Sequence, residues 1–274
     1  MPASLDQIVA ASRRKVAEAC RTADRRALEK QAECHVPRGF RRALESESRN
    51  GAAIIAELKK ASPSRGLIRK DFDARSLAAE LESAGAAALS VLTDTEFFQG
   101  SLENLRVASG ATRLSCLRKD FIVDEFQLWE ARAYGADAVL LIVAALSAAE
   151  LNRLAVRARE YGLDVLCEVH DEQELQRALE AGCNLIGVNS RDLRTFRVDL
   201  QTAFRLAEQI PPHVVGVAES GITSGADVAR LRAAGYHAFL IGESLMKAEA
   251  PGEALRALIE ESGHLATPSL KADH

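Results

Sequence analysis

The 274-residue sequence lacks several features that would place it in a large class of proteins. No apolar run approaches the ~20 residues that a membrane-spanning helix needs, and the first residues do not form the apolar core of a signal peptide. No block of five like charges occurs, and the formal net charge is only -4, so we expect neither nucleic acid nor a membrane surface as a partner. These absences predict a soluble, cytoplasmic protein. We expect a monomer or a weak homo-oligomer, although no sequence feature indicates the oligomeric state.

The sequence also lacks the usual signatures of metal and cofactor sites. Its five cysteines form no Cys-x-x-Cys pair and have no histidine at metal-ligand spacing. No glycine-rich dinucleotide fingerprint is present. We therefore expect no metal and no cofactor, and we expect reduced thiols at all five positions. These are Cys20, Cys34, Cys116, Cys167 and Cys183.

Short apolar runs alternate with longer amphipathic stretches from residue 54 onward, which predicts strands followed by helices. The eight predicted strands are 54–58, 87–92, 113–117, 138–143, 164–169, 184–188, 213–218 and 237–241. The clearest helices are 74–83, 125–134, 148–161, 172–181 and 225–234. Residue pairs that end in glycine, Ala-Gly at 84–85, 181–182 and 234–235 and Tyr-Gly at 134–135, recur about every 50 residues, or two such units. This pattern favours an α/β fold of the (β/α)8 TIM-barrel type over an open doubly wound sheet.

Three segments are expected along the chain. Residues 1–48 precede the first strand and are predicted to form an N-terminal helical extension, and residues 49–265 form the catalytic barrel. Residues 266–274 lack periodicity and are predicted to fray. An apolar stripe on the first helix is expected to cover the barrel floor or to pack on its flank. It comprises Leu5, Ile8, Val9, Val16 and Ala19.

Charged and amide side chains follow or end five of the predicted strands. A barrel strand is covered on both faces, so such groups need an explanation, and barrel enzymes place their chemistry at the carboxyl ends of the strands. Glu57 and Lys59 project from the same face because side chains alternate along a strand. The other ends carry Arg118, Lys119, Glu168, His170, Asn189, Arg191 and Glu219. Arg118 and Glu219 are as consistent with structural ion pairs as with a role in the site. For His170 we expect helix capping or packing.

Two glycine-containing turns follow the last two predicted strands. Glycine allows close approach of the backbone to a ligand, and free amides at the start of a short helix attract phosphate oxygens. The turns centre on Ser220-Gly221 and on Gly242-Glu243-Ser244. They predict a phosphate site.

Eight stretches of the sequence, taken in order along the chain, resemble the indole-3-glycerol phosphate synthase family. They read IAELKKASPS at 55–64, SVLTD at 90–94, FFQG at 97–100, LRKDF at 117–121, CEVH at 167–170, GVNSRDL at 187–193, AESGI at 218–222 and IGESLM at 241–246. They cover the barrel from its first strand to its last in the family's order. The resemblance implies a carbon–carbon lyase (carboxy-lyase) of tryptophan biosynthesis. Its substrate would be 1-(2-carboxyphenylamino)-1-deoxyribulose 5-phosphate, which closes to indole-3-glycerol phosphate with loss of CO2 and water.

The resemblance also implies roles for a catalytic set of five residues. Lys119 matches the general acid of ring closure, and Glu168 matches a carboxylate that orients or assists it. Glu57 and Lys59 match the pair associated with dehydration. Asn189 belongs to the same set and matches a position that contacts substrate.

The family's substrate-binding positions map onto a further group of residues. Arg191 is suited to the substrate carboxylate because its planar fork binds two oxygens, and Ser62 would hold the same end. The candidates for an apolar slot are Phe97, Phe121 and Leu193. The phosphate positions are Ser220, Gly221, Gly242, Glu243 and Ser244, with Glu243 contributing only its backbone amide because some relatives carry a small hydroxyl residue there.

Other functions stay open at this point. One alternative is another phosphosugar barrel, such as a phosphoribosylanthranilate isomerase or a Schiff-base aldolase using Lys119. Isomerisation needs chiefly one acid/base pair, whereas this rim offers two lysines and two glutamates. A catalytically silent barrel that binds phosphate ligands is a third alternative. The complete set of Glu57, Lys59, Lys119, Glu168 and Asn189 speaks against a silent barrel.

Overall fold

Eight parallel strands close into a barrel in the computed structural model, which describes residues 4–192 and 195–266. Each strand pairs with its neighbours in chain order, and the last pairs with the first at Ala53 and Ala238. The strands are β1 (Ala53–Leu58), β4 (Ala88–Leu92), β5 (Ser115–Lys119), β6 (Ala138–Ile142), β7 (Asp164–Val169), β8 (Leu185–Asn189), β9 (Val215–Glu219) and β10 (Ala238–Ile241). A short hairpin, β2 (Ala61–Ser62) and β3 (Gly66–Leu67), follows β1. The predicted TIM barrel is confirmed.

Helices surround the barrel and return the chain to its floor between strands. They are α4 (Ala74–Ser83), α5 (Leu102–Ala111), α6 (Phe126–Ala133), α7 (Ala148–Glu160), α8 (Glu172–Glu180), α9 (Gln201–Ala207), α10 (Gly225–Ala233), α11 (Glu243–Lys247) and α12 (Pro251–Ala266), with a 3-10 turn, η1, at Val143–Ala145. Side-chain caps such as Asp73 and Ser147 accept hydrogen bonds from the first turns. The four glycines that the sequence places at helix ends, Gly85, Gly135, Gly182 and Gly235, all have a positive φ, as a left-handed helix end requires.

Side chains point alternately to the two faces of each barrel strand, and this alternation separates two apolar cores. One core fills the barrel lumen, and the other lies between the strands and the surrounding helices. On β5, Leu117 faces the lumen and Cys116 faces the helices, so Lys119 is directed to the lumen. The same parity directs the last polar side chains of four other strands inward. These are Glu57, Glu168, Asn189 and Glu219.

The N-terminal segment forms three helices that pack against different parts of the barrel. They are α1 (Leu5–Thr22), α2 (Arg25–Cys34) and α3 (Phe40–Ser48). Phe40 and Leu44 of α3 are fully buried in the lumen core, so α3 closes the floor. The later part of the stripe on α1, Val9, Val16 and Ala19, packs on the flank in the outer core, whereas its first two residues line the cavity at the other end of the barrel. Packing on the flank is thus confirmed for three of the five stripe residues, and covering the floor is wrong.

The third barrel strand begins and ends two residues later than predicted. The predicted strand ends at Leu117, whereas the charged residues Arg118 and Lys119 both belong to β5. Arg118 faces outward, is buried, and donates to Thr93 Oγ1, Asp120 and the carbonyl of Gln127. A fully partnered network of this kind lets a charged residue lie within a buried strand. Arg118 is thus a structural residue.

The pairing of the cysteines differs in part from expectation. Cys167 on β7 and Cys183 are paired as a disulfide, so the prediction of reduced thiols is wrong for these two. Helix α8 and its turns bring the two residues together from 16 positions apart, which no local pattern indicates. Within the described ranges, Cys20, Cys34 and Cys116 are free.

No helix among the described residues is long and apolar enough to cross a membrane. The predicted tail lies outside the described residues except for Ala266, which ends α12.

Asp137 fastens the N-terminal segment to the barrel floor. Its fully buried carboxylate accepts hydrogen bonds from the backbone N–H of Cys116 at 2.7 Å, the backbone N–H of Arg38 at 2.6 Å and the Arg38 guanidinium at 2.6 Å. His35 Nε2 lies 3.3 Å away. Burial raises the pKa of this carboxyl, but the bonds from His35 and Arg38 outweigh burial and hold the pKa below its ordinary value.

Removal of this carboxylate is expected to destabilise the fold. In Asp137→Ala, two backbone N–H groups and a guanidinium that is three-quarters buried lose their acceptor, so the free energy of unfolding should fall by about 3 kcal/mol. Urea denaturation measures this. Because the folded pKa is depressed, the stabilisation is present above the unfolded value of about 4 and is lost as pH falls, so the difference should shrink in acid. The exposed Asp71→Ala is the matched control, and an equal effect of both variants would refute the clamp.

Candidate active site

A cavity of about 530 Å3 opens at the carboxyl ends of the barrel strands. Its floor is formed by lumen-facing residues such as Leu140 and Ile142, and its wall by the loops that follow the strands. Leu5 and Ile8 of α1 also line it, so the N-terminal extension contributes to the mouth. The predicted catalytic residues Glu57, Lys59, Lys119, Glu168 and Asn189 all line this cavity.

Four ionisable side chains form one layer at the base of the cavity. Glu57, Lys119, Glu168 and Glu219 come from the first, third, fifth and seventh barrel strands, and side chains of alternate strands share a layer in such barrels. Lys119 Nζ lies 2.9 Å from Glu168 Oε2 and 3.4 Å from Glu219 Oε2. The layer therefore places one ammonium among three carboxyl groups, all nearly buried.

The buried charges shift one another's pKa values. Burial lowers the pKa of Lys119, but the charges of Glu168, Glu219 and Glu57 outweigh burial and raise it, so the ammonium stays protonated. Burial raises the pKa of Glu168, but Lys119 and His170 reverse that effect and lower it. Burial, together with the charges of Glu168 and Glu57, raises the pKa of Glu219 to about 8 despite Lys119. Glu219 thus carries a proton near neutral pH while Glu168 is ionised.

Lys59 and Glu57 form a second ion pair at the cavity wall. Lys59 Nζ donates to Glu57 Oε1 at 2.7 Å, and Ser90 Oγ donates to Glu57 Oε2 at 3.4 Å. Burial raises the pKa of Glu57, but the charges of Lys59 and Lys119 outweigh it and lower the pKa. Glu57 is therefore an ionised carboxylate with an ammonium beside it.

Asn189 and Arg191 connect this layer to a cationic rim. The Asn189 side chain bonds to Glu168, and its Oδ1 accepts from the Arg191 backbone N–H at 3.0 Å. Arg191 Nη2 lies 3.6 Å from Glu243 Oε2, and Glu243 Oε1 is 3.0 Å from Arg65 Nε. The rim can therefore take up an anionic group. The Glu243 side chain, for which only a backbone role was expected, thus lies in the rim as the ion-pair partner of both arginines.

The two glycine turns bring backbone to the same side of the cavity. Ser220 and Gly221 both have positive φ, at 65° and 80°, which turns the chain sharply after β9. A Cβ at Gly242 would lie 2.5 Å from Glu57 Oε1, so only glycine fits there. The hydroxyls of Ser62 and Ser244 are buried and have no hydrogen-bond partner among residues 4–192 and 195–266. Unpartnered buried hydroxyls in a cavity indicate a polar ligand.

The apolar side of the cavity differs from the predicted slot. Phe98 and Phe121 line it, with ring centroids 6.3 Å apart. Among the described residues it is Phe98 that lines the cavity and not its neighbour Phe97, whose ring lies 5.6 Å from Lys15 Nζ of α1. Leu193 lies outside the described residues. The FFQG stretch holds both phenylalanines, and its sequence alone does not show which ring turns inward.

Besides Phe98, sequence reasoning missed further contributors to the site. Glu219 is as consistent with a structural ion pair as with a site role on sequence alone, although its place on an alternate strand, facing the same side as Glu57, is a usable signal. Arg65 and the Leu5 end of α1 carried no such signal, because their placement depends on where a loop and a separate helix pack.

Fold and site together define a (β/α)8-barrel protein with a charged, partly apolar ligand pocket at the carboxyl face of the barrel. The family model of indole-3-glycerol phosphate synthase matches residues 5–258. The chain belongs to that family.

Individual relatives agree with this assignment. An indole-3-glycerol phosphate synthase of Koribacter versatilis is 59% identical over 94% of this chain and 100% of its own length. One from Burkholderia ambifaria is 48% identical over 92% of this chain and 97% of its own. A solved thiamine phosphate pyrophosphorylase from Pyrococcus furiosus has a TM-score of 0.61 at 17% identity, covering 80% of this chain and 99% of its own. That likeness shows the barrel fold alone.

Glu219 is expected to make stability depend on pH. Its folded pKa of about 8 lies above the unfolded value of about 4.3, so its contribution is fully present below the unfolded pKa and is lost as pH rises through about 8. Glu219→Gln cannot ionise and should therefore raise the urea midpoint, relative to wild type, more at pH 8 than at pH 5. The exposed Glu249→Gln should shift the midpoint equally at both values. An equal shift for Glu219→Gln would mean that this carboxyl titrates normally.

Proposed function

We propose that the chain converts 1-(2-carboxyphenylamino)-1-deoxyribulose 5-phosphate to indole-3-glycerol phosphate, with loss of CO2 and water. This is the carboxy-lyase step that forms the indole ring in tryptophan biosynthesis. The observation that carries the proposal is the protonated Lys119 held between Glu168 and Glu219 at the base of a cavity that also has an aromatic wall and a cationic rim. The family assignment supports it.

The cavity matches the three functional parts of this substrate. Its volume of about 530 Å3 suits a small phosphorylated molecule. The phosphate is assigned to the turns at Ser220-Gly221 and at Gly242 and Ser244, because backbone amides and a free hydroxyl are available there. The anthranilate carboxylate is assigned to Arg191 and Ser62, and its ring to the gap between Phe98 and Phe121. This placement leaves the ketone above Lys119.

Ring closure requires a positive group at the ketone oxygen. The ring carbon that bears the carboxylate attacks the ketone carbon, and negative charge develops on the oxygen as the new carbon–carbon bond forms. The Lys119 ammonium stabilises this charge and gives its proton to the oxygen. Glu168, ionised and 2.9 Å from Lys119, orients the ammonium, and Glu219 is a second group able to exchange a proton near neutral pH.

Loss of CO2 and of water completes the indole ring. The bond to the carboxylate breaks, its electron pair restores the aromatic ring, and CO2 departs. Lys59 then protonates the new hydroxyl, which leaves as water, and Glu57 accepts the proton released from the neighbouring carbon. The 2.7 Å Lys59–Glu57 contact keeps the donor and acceptor together.

One experiment tests the function and separates it from its alternatives. The purified protein is mixed with the carboxyphenylamino sugar phosphate without added metal, and indole fluorescence and CO2 are followed. Both signals are expected. Their absence where an established synthase turns over would refute the proposal, while covalent trapping of Lys119 with borohydride and a carbonyl substrate would favour a Schiff-base aldolase.

Lys119→Ala should lower kcat by roughly 10²- to 10⁴-fold, the range for a general acid, while substrate binding persists. Lys119→Arg should not restore turnover, because guanidinium barely gives up its proton. Steady-state kinetics with indole fluorescence measure both. Lys30→Ala, an exposed lysine on α2, is the control and should behave as wild type. Near-normal ring closure in Lys119→Ala in a single turnover would contradict the assignment.

Gly242→Ala should impair catalysis by displacing Glu57. The added Cβ would lie 2.5 Å from Glu57 Oε1 and 2.8 Å from Glu57 Cβ, so the carboxylate must move away from Lys59. A displacement near 1 Å lowers rates by about 100-fold, so kcat should fall on that scale. Gly110→Ala adds a methyl group to open space on α5 and should leave kcat unchanged. Equal kinetics for the two variants would show that Glu57 tolerates the shift.

A further inference from the structure

His170 follows β7 and lies against the face of Glu168 that Lys119 leaves free. Lys119 Nζ contacts Glu168 Oε2 at 2.9 Å, whereas His170 Nε2 lies 3.6 Å from Glu168 Oε1. On its other side, His170 Nδ1 lies 2.9 Å from Glu174 Oε2 of α8, and the His170 backbone N–H donates to the same oxygen at 2.8 Å. The three side chains thus form a line, Glu174–His170–Glu168, that ends at the catalytic layer.

Helix capping does not explain His170. The N-cap of α8 is Asp171, whose side chain accepts from the Glu174 backbone N–H at 2.8 Å. Packing alone does not explain it either, because the buried Nε2 has no hydrogen-bond partner within the described ranges and is directed at a carboxylate. The expectation of a capping role is wrong.

The chemistry of the ring determines which form of His170 fits this position. The Glu174 carboxylate is an acceptor, so Nδ1 must carry a proton. If the ring were neutral, the lone pair of Nε2 would face the negative Glu168. A proton on Nε2 as well gives an imidazolium that satisfies both carboxylates.

We propose that His170 is a positioning residue that, as an imidazolium anchored by Glu174, holds Glu168 ionised and oriented toward Lys119. The inference rests on the proposed function for its kinetic consequence, but the ion line itself does not. The titratable groups that face the ring are Glu168 of β7, Glu174 of α8 and Glu219 of β9. Glu168 and Glu174 contact the ring and favour its charged form, whereas Glu219 does so only once it loses its proton above about pH 8. Burial lowers the pKa of His170, but these carboxylates outweigh burial and raise it.

His170 acts through Glu168 and not on substrate. Within residues 4–192 and 195–266, Glu168 lines the cavity and His170 does not. Loss of the imidazolium should therefore leave substrate binding intact and weaken the step that depends on Glu168. It should also raise the pKa of Glu168, because one of the two cations that lower it is gone.

The first test needs no substrate, so it is independent of the proposed function. The imidazole pKa of His170 is measured by NMR titration in wild type, Glu168→Gln and Glu174→Gln. We expect a wild-type pKa above the ordinary value and a decrease in both variants, since each removes a facing charge. An unchanged pKa in Glu168→Gln would overturn the proposal, because the ring would then be held by Glu174 alone.

The second test separates positioning from stability. In His170→Gln the amide keeps a hydrogen-bond donor but has no charge, so kcat should fall roughly 10- to 100-fold, the usual range for an orienting partner, with KM within about twofold. The acid limb of the kcat–pH profile should move to higher pH, which a merely structural role would not produce. His237→Gln alters a half-buried histidine at the barrel floor and should leave the profile in place.

Glu174→Gln provides a second route if His170→Gln folds poorly. It weakens the anchor without touching the ring and should move the acid limb in the same direction by a smaller amount. An unmoved limb in both variants, with active wild type, would overturn the proposal. An inactive wild type would instead refute the proposed function, and the NMR titration would still decide whether the ion line exists.

Discussion

Confinement of Lys119 among three carboxyl groups is the interaction on which the rest of the site depends. An unpaired ammonium in such a place would lose its proton, and unpaired carboxylates would gain one. Here the charges are unequal in number, so Glu168 is ionised and Glu219 keeps a proton. The layer therefore offers a fixed positive charge and a nearby exchangeable proton.

The barrel makes this arrangement possible because it holds the backbones of alternate strands at fixed heights. The apolar lumen below the layer, closed by Phe40 and Leu44, excludes water from one side. The charged residues are therefore screened mainly by one another and by whatever fills the cavity above. The same packing explains why glycine is required at Gly242, where backbone passes within contact of Glu57.

The N-terminal segment links the two ends of the barrel. Its third helix closes the floor, Asp137 fastens the chain that leads into that helix, and the first helix places Leu5 and Ile8 at the mouth. The salt bridge of Lys15 to Asp94, at 3.0 Å, connects the first helix to the loop that carries Phe98. The extension is thus part of the site's architecture as well as of the fold's stability.

The eight strands, the bounds of five barrel helices and the set of polar residues at the carboxyl rim could all be predicted from the sequence, because strand alternation, caps and glycine helix ends are local properties. The common face of Glu57 and Lys59 is predictable for the same reason. Long-range packing determines which of two adjacent phenylalanines enters the cavity, that Cys167 meets Cys183, and that α3 rather than α1 covers the floor. Packing also determines the protonation of Glu219, which depends on charges from strands far apart in the chain. It likewise determines the line from Glu174 through His170 to Glu168, which joins a strand to the following helix. Distances of this kind leave no periodic trace in the sequence.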